Sequence, residues 1–318
     1  MNWKNRHVLL TGGSGFIGSA LAHRLIQLGA DVTLLIKDLN SRIVPDVIGE
    51  CTLKFGDVTD SDFVRDAVSS SEAEIVYHLA ANAIVRISAK DPMTTYGTNI
   101  MGTVSVLEAC RNIGVARIVC ASSDKAYGDH DILPYREEFS LQPMNTYDTS
   151  KACMDVISRS YEHNYDMPVV VTRCSNVYGP GDYNFSRIVP NTIRRVLDGK
   201  PPELYEDVEK MEREFIFIDD VIDAYLLLGD PELSIRGAFN IGGTGPAKIR
   251  DITSLICMSA GRPDLISKTI IKRRETGFKE IDRQHIDAGK LYKATGWKAL
   301  TSIGQGLNTT VKWYEELS

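Results

Sequence analysis

Short runs of apolar and β-branched residues recur through the first half of the chain: HVLLT (7–11), DVTLLI (31–36), TLKF (52–55), EIVYHLA (74–80), RIVCAS (117–122) and PVVVTR (168–173). Runs of this length and make-up read as strands, and the near-continuous ones as strands covered on both faces. Between most of them lie longer segments with helical spacing of apolar positions, at 16–28, 100–113 and 147–165. Strands alternating with helices predict a parallel sheet with helices on both sides. Beyond about residue 175 the alternation loosens: SNVYGPGDYNFS is loop-like, and KPPELYEDVEKMERE is charged and carries proline. A late strand REFIFI (213–218), a helix at 220–229, the strand and turn GAFNIGG and a closing helix at 303–316 follow. The pattern predicts an α/β chain with a doubly wound parallel sheet and a smaller, mainly C-terminal lobe. The expected division gives 1–174, with 215–241 returning, to the large sheet, and 175–214 with 242–318 to the second lobe.

Composition narrows this picture only a little. At 318 residues the chain can bury a large core, and 43% hydrophobic with 25% charged residues suits a soluble globular protein. A formal net charge of −6 removes any reason to expect nucleic-acid binding, which calls for a basic patch, yet leaves room for an anionic small molecule. Six cysteines (51, 110, 120, 153, 174 and 257) show neither C-x-x-C nor zinc spacing, and several lie in apolar runs. They are expected as small buried thiols in a reducing compartment, with neither disulfides nor a metal. MNWKNRHVLL runs directly into a strand pattern, so no signal peptide or membrane span is expected, and the reading is cytoplasmic.

The first candidate chemistry lies in VLLTGGSGFIGSALAHRL. Gly12, Gly15 and Gly18 form G-x-x-G-x-x-G, and Gly13 gives an overlapping G-x-G-x-x-G, between a strand and an amphipathic helix. Such glycines allow the tight turn and let backbone approach a pyrophosphate, while the helix N-terminus offers free N–H groups. The expectation is a Rossmann-type dinucleotide site. Strand two ends in Lys37 and Asp38; a carboxylate here suits the ribose of NAD and a cation the extra phosphate of NADP, so NAD is expected with NADP open. Asp57, in GDVTD, reads either as an acceptor for the adenine amino group or as part of a helix N-cap.

NTYDTSKACMDVI places Tyr147 and Lys151 four residues apart on one helix face. A phenol ordinarily titrates near pH ~10, too high for a base at neutral pH. A nearby ammonium and a positive nicotinamide ring would lower it, and a hydroxyl from Ser122 or Ser123 would orient the reacting alcohol. In SSDKAYG an acid and a base, Asp124 and Lys125, stand side by side at the end of a buried strand, where the plain reading is a solvated loop.

Together TGGSGFIG, GDVTD, HLAA (78–81), TNIMGT (98–103), SSDKAYG, YDTSK, TRCSNVYGPGD (172–182) and REFIFIDDV (213–221) resemble the extended short-chain dehydrogenase/reductase superfamily, in its branch of NAD-dependent nucleotide-sugar epimerases and dehydratases. The similarity runs nearly end to end. It implies that Phe16, Ile17, Val58, Leu79, Ala80 and Ala81 line the cofactor cleft with the glycines, and that Asn99 supports the active site. It implies that Asn176 touches a sugar-nucleotide diphosphate, that Arg187 and Arg213 hold diphosphate and nucleotide, and that Arg283 is a further candidate. The smaller lobe would then bind the nucleotide sugar. Relatives that dimerise do so through helices matching about 99–113 and 147–165, so a homodimer is expected, with Val104, Leu107 and Ile157 on the apolar faces.

Epimerases of this branch usually follow the strand-five serine with small or neutral residues, whereas 4,6-dehydratases commonly carry Thr-Asp-Glu, with the Asp as acid and the Glu as base. Here the matching residues are Ser123, Asp124 and Lys125, and the Asp-Lys pair is similar to that of CDP-glucose 4,6-dehydratases, as is NFSRIVP. The resemblance therefore implies a nucleotide-sugar 4,6-dehydratase in which Asp124 serves carbon 6 and Lys125 carbon 5. Lysine in place of glutamate, Lys37 near the ribose and a short chain depart from the commoner pattern. The readings left beside it are a 4-epimerase, an enzyme that stops at a 5,6-ene or reprotonates carbon 5 from the other face, and a non-catalytic dinucleotide binder.

Overall fold

The computed structural model describes residues 2–38, 47, 49–273 and 281–317. In chain order the first part contains β1 (His7–Thr11), α1 (Phe16–Gln27), β2 (Asp31–Ile36), β3 (Thr52–Phe55), α2 (Ser61–Ser70), β4 (Ile75–His78), α3 (Val85–Lys90) and α4 (Pro92–Tyr96). A π-helical turn (Gly97–Met101) leads into α5 (Gly102–Ile113), followed by β5 (Arg117–Ala121), a 3-10 turn (Asp124–Tyr127), α6 (Thr146–Tyr165) and β6 (Val169–Cys174). Then come β7 (Asn176–Tyr178), α7 (Ile188–Leu197), β8 (Glu203–Tyr205), β9 (Glu212–Phe217), α8 (Ile218–Leu228) and β10 (Gly237–Ile241). The chain closes with β11 (Pro246–Lys248), α9 (Ile249–Ser259), β12 (Ile270–Lys272), β13 (Arg283–Gln284), α10 (Gly289–Thr295) and α11 (Ile303–Glu316).

Seven strands form one parallel sheet in the order β10-β6-β5-β4-β1-β2-β3. Strand alternation splits its side chains between two cores. On β1, Val8 and Leu10 enter one cluster with Leu21 of α1 and Val221 of α8, while Leu9 enters the other with Val64 of α2, Leu107 of α5 and Met154 of α6. Both faces are thus covered, as the apolar runs require. Chain direction across the sheet reverses between β1 and β4, and the crevice beyond their C-terminal ends is where such sheets bind ligands.

The second sheet is β11-β9-β13, with β7 alongside β9. Strand β9 therefore belongs to this smaller sheet, while α8 and β10 go to the large one. The charged, proline-bearing stretch contains β8, which pairs with β12 and buries Leu204, and the stretch read as loop-like opens with β7. Leu107 lies wholly inside the monomer core, Val104 and Ile157 are partly covered, and Met101 and Val156 are exposed. All six cysteines are unpaired thiols. Among the described residues no helix is long and apolar enough to cross a membrane.

Candidate active site

Beyond β1 the chain turns at Gly12 with φ +70°, and a Cβ there would stand 2.7 Å from the backbone nitrogen of Ala80. A Cβ on Gly18 would stand 2.2 Å from the Gly12 carbonyl oxygen, so α1 lies against the turn at a distance only glycine permits. Gly15 is the N-cap of α1 and supplies no side-chain cap, which leaves the first N–H groups facing the crevice at the positive end of the helix dipole. This backbone cradle fits a dinucleotide pyrophosphate. Phe16, Ile17, Leu79, Ala80 and Ala81 are half-buried around it, and the Ala80 N–H donates to Thr11 Oγ1 at 3.2 Å. Val58 is buried against Gly102 at the start of α5.

At the other end of the crevice Lys37 Nζ pairs with Asp57 Oδ2 at 2.8 Å, while Asp38 is exposed. Asp57 also accepts from the N–H and hydroxyl of Thr59 at 3.0 and 2.9 Å. The Lys37 ammonium, then those bonds, hold its carboxyl below the usual range. The N-cap of α2 is Asp60, which accepts from Phe63 N at 3.0 Å, so Asp57 stands ahead of the helix.

Helix α6 begins at an Asn145 cap that accepts from Asp148 N at 3.1 Å, and this places Tyr147 in its first turn and Lys151 one turn on. Ser122 and Ser123 diverge. The Ser122 hydroxyl donates to the Lys151 carbonyl at 3.2 Å, whereas Ser123 hydrogen-bonds Tyr147 and donates to Asp124 Oδ1 at 3.1 Å. Lys151 Nζ donates to the Ala121 carbonyl at 2.6 Å, and burial pushes its ammonium down to about 8. Burial also pushes the Tyr147 phenol up to about 12, with Arg187 opposing and Asp124 reinforcing. Desolvation thus outweighs the lowering expected from a neighbouring ammonium, and the cation acting on the phenol is Arg187.

Asn99, in the π-helical turn, accepts from Asn82 N at 2.7 Å and donates to Ser150 Oγ at 2.8 Å, tying the loop after β4 to α6. Single π turns often mark functional sites because they re-aim one side chain. Behind it His78 is bridged by Thr11 (2.8 Å) and Thr103 (2.9 Å), and burial holds its imidazole down to about 3.

Asp124 is buried; its Oδ2 accepts no hydrogen bond among the described residues and lies 3.7 Å from Lys125 Nζ. Lys125 Nζ instead donates to Gln284 Oε1 of β13, and Gln284 Nε2 donates to the Asp124 carbonyl at 3.0 Å. The far end of the same turn is held by Tyr127, whose hydroxyl donates to Asn240 Oδ1 and accepts from Arg173 Nη1, both at 2.8 Å.

The expected substrate-side residues are placed differently from one another. Asn176 Nδ2 donates to the Glu214 carbonyl at 2.8 Å. Arg187 is partly exposed and pairs with Asp182 at 3.1 Å. Arg213 is buried, with its guanidinium on the carbonyls of Glu212, Ile281 and Asp282. Arg283 is 61% exposed and pairs with Glu212 at 2.9 Å at the surface. Sequence reading missed Gln284, which adjoins Arg283, and Glu214, which adjoins Arg213. Burial, reinforced by Asp124, pushes the Glu214 carboxyl up to about 7.

Residues 8–242 match the model of the NAD dependent epimerase/dehydratase family. The dTDP-glucose 4,6-dehydratase of Salmonella typhimurium is 30% identical over 347 aligned positions, covering 96% of this chain and 92% of that protein. Among solved structures, UDP-glucose 4-epimerase from Thermotoga maritima with UDP-glucose superposes with a TM-score of 0.88 at 26% identity, covering 98% of this chain and 99% of the other. The dTDP-glucose 4,6-dehydratase of Bacillus anthracis in complex with NAD gives a TM-score of 0.87 at 26% identity, covering 98% and 97%. The nucleotides in these names are dTDP and UDP rather than CDP. With the glycine cradle at the sheet's reversal point and a Ser, Tyr and Lys set beside it, the chain belongs to the NAD dependent epimerase/dehydratase family.

Proposed function

We propose that the chain is a nucleotide-sugar 4,6-dehydratase. The observation that carries this reading is Asp124: a buried acid with one oxygen free of hydrogen bonds among the described residues, on the turn that also carries Lys125 and linked through Ser123 to Tyr147. A reaction confined to carbon 4 has no use for this second acid and base.

Gly12, Gly15, Gly18 and the N-terminus of α1 would hold NAD, which would supply the acceptor for a hydride from sugar carbon 4 and its return to carbon 6. Tyr147 takes the proton of the carbon 4 hydroxyl, which Ser123 orients. The ketone formed makes the hydrogen on carbon 5 acidic, and Lys125 removes it as a proton. The bond between carbon 6 and its oxygen breaks as Asp124 delivers a proton to that oxygen, and water leaves. A proton returns to carbon 5 as carbon 6 is reduced. Carbon 4 ends oxidised, carbon 6 ends reduced, the cofactor ends as it began, and the net change is one water. Arg187 and Asn176 are the proposed diphosphate contacts, and Lys37 with Asp57 the contacts at the adenosine end.

The 4-epimerase reading is kept because a UDP-glucose 4-epimerase is among the structural neighbours. A homodimer through α5 and α6 belongs to the same proposal; Met101, in the π-helical turn that leads into α5, and Val156 of α6 stand 56% and 52% exposed. The deciding experiment is mass spectrometry of the chain incubated with NAD and CDP-, UDP-, dTDP- and GDP-linked hexoses. A product lighter by one water supports the dehydratase and identifies the nucleotide. A product of unchanged mass and altered mobility establishes the epimerase instead.

A further inference from the structure

We propose that Gln284 is a positioning residue that holds Lys125 off Asp124 and so keeps the acid and the base separately usable; this rests on the dehydratase reading above. Gln284 is wholly buried, and both ends of its amide are engaged with the reactive dipeptide. Nε2 donates to the Asp124 carbonyl at 3.0 Å, and a carbonyl can only accept, so the amide orientation is fixed. Oε1 must then face Lys125, where it accepts from Nζ. Lys125 Nζ is left 3.7 Å from Asp124 Oδ2, beyond hydrogen-bond distance, and that carboxyl oxygen accepts no other hydrogen bond among the described residues.

The physical consequence follows from what the pair does without its spacer. In a buried site two opposite charges in contact attract far more strongly than in water, and a lysine that loses its amide acceptor has Asp124 as its nearest alternative. Closure from the present 3.7 Å to a hydrogen-bonded pair would tie the two side chains to each other, so that neither is free to face carbon 5 or the oxygen on carbon 6. Carbon 4 oxidation uses Tyr147 and Ser123, and the two hydrogen bonds of the Gln284 side chain go to Asp124 and Lys125.

The spacer's position is fixed from the smaller lobe. Gln284 sits in a two-residue strand paired to β9 opposite Arg213, and Arg213 clasps the carbonyls of Ile281 and Asp282 just ahead of it. Elimination is thereby made to depend on how this strand docks against the large sheet.

The test compares the wild-type chain with Gln284→Met, which keeps the volume and removes both hydrogen bonds, and with Gln284→Asn, whose shorter amide cannot reach both partners. With NAD and the accepted nucleotide sugar, both variants are expected to keep the rise in reduced-cofactor absorbance and to accumulate it. Water loss should fall about 10²-fold, within the usual range for losing acid–base assistance, at nearly unchanged KM. A crystal structure of Gln284→Met, a readout apart from turnover, should show Lys125 Nζ in hydrogen-bond contact with Asp124. Water loss at the wild-type rate, or cofactor reduction and water loss falling by the same factor, overturns the role of Gln284. A wild-type chain that releases no water from any sugar offered overturns the dehydratase reading itself, which is seen before either variant is used.

Discussion

Arg173 and Asp155 meet through two parallel contacts, Nε to Oδ2 at 2.7 Å and Nη2 to Oδ1 at 2.9 Å, with both side chains shut off from solvent. The same guanidinium lies 4.8 Å over the Tyr127 ring and donates to its hydroxyl. One buried cation therefore joins α6 to β6 and anchors the turn that carries Asp124 and Lys125. Removing Arg173 leaves the buried Asp155 carboxylate to the half-exposed Arg159, which bonds it at 2.9 Å, so the cost falls toward the low end of the range for breaking a buried pair, about 3 kcal/mol. Arg173→Met is expected to lower stability by that order and Arg173→Met with Asp155→Leu by less, both read from urea unfolding.

Tyr147→Phe should abolish cofactor reduction while NAD binding, followed by calorimetry, is retained. The hydroxyl is the group Ser123 bonds and Arg187 faces, and the cradle formed by Gly12 and α1 does not involve it. Loss of NAD binding together with reduction would place the residue in the cofactor's support instead.

Asp124→Asn and Lys125→Met separate the second half of the reaction from the first. Each is expected to cut water loss by about 10²–10⁴-fold and to leave the initial reduction of the cofactor in place. Stopped-flow absorbance with mass analysis of the quenched sugar measures both steps in one sample. Equal loss of both steps would contradict the assigned roles.

Glu214 gives the chain a pH signature. Its carboxyl is raised to about 7 in the fold, so below the ordinary carboxyl range both folded and unfolded chains hold the proton and nothing is lost. As pH rises toward 7 the unfolded chain ionises first, and unfolding is favoured progressively; the full penalty persists above that. Glu214→Gln keeps an oxygen for the Ile286 N–H, a bond of 3.1 Å, and removes the ionisation. It should gain on the wild type by about 2–3 kcal/mol between pH 5 and pH 8 in denaturant titrations.

Gly12→Ala meets two obstacles at once: a positive φ of +70° and a Cβ 2.7 Å from the Ala80 nitrogen. Backbone cannot yield there as a flexible side chain would. NAD affinity should fall by at least about tenfold, a cost of roughly 1–2 kcal/mol for a non-glycine residue held left-handed, as read by calorimetry.

Local pattern carried much of this fold. Strands β1, β2 and β3 and helix α11 match their sequence runs end for end, because apolar stretches bounded by turn residues leave little choice of register. The adjacency of Asp124 and Lys125 and the spacing of Tyr147 and Lys151 were equally legible, being local. What was not legible depends on distance along the chain. Gln284 reaches Lys125 across 159 positions, from a two-residue strand with no periodicity to announce it. Glu214 closes the charged first half of β9, EREFIF, where the sequence does not distinguish a buried carboxyl from the partly exposed Glu212 two positions before it. The π-helical turn at 97–101, GTNIM, carries no local pattern that separates a π turn from the start of α5, and the role of Asn99 shows only in its contacts.

The turn Asp124–Tyr127 is fastened at its two ends: Ser123 caps its start and Tyr127 is locked behind it. Such a mounting makes Asp124 and Lys125, two of the three intervening residues, interchangeable parts. The chemical outcome at carbons 5 and 6 can drift, or be redesigned, by exchanging Asp124 and Lys125 together with the amide that faces them, while the machinery that oxidises carbon 4 keeps its shape. Diversification of product then needs three coordinated replacements, not a new scaffold.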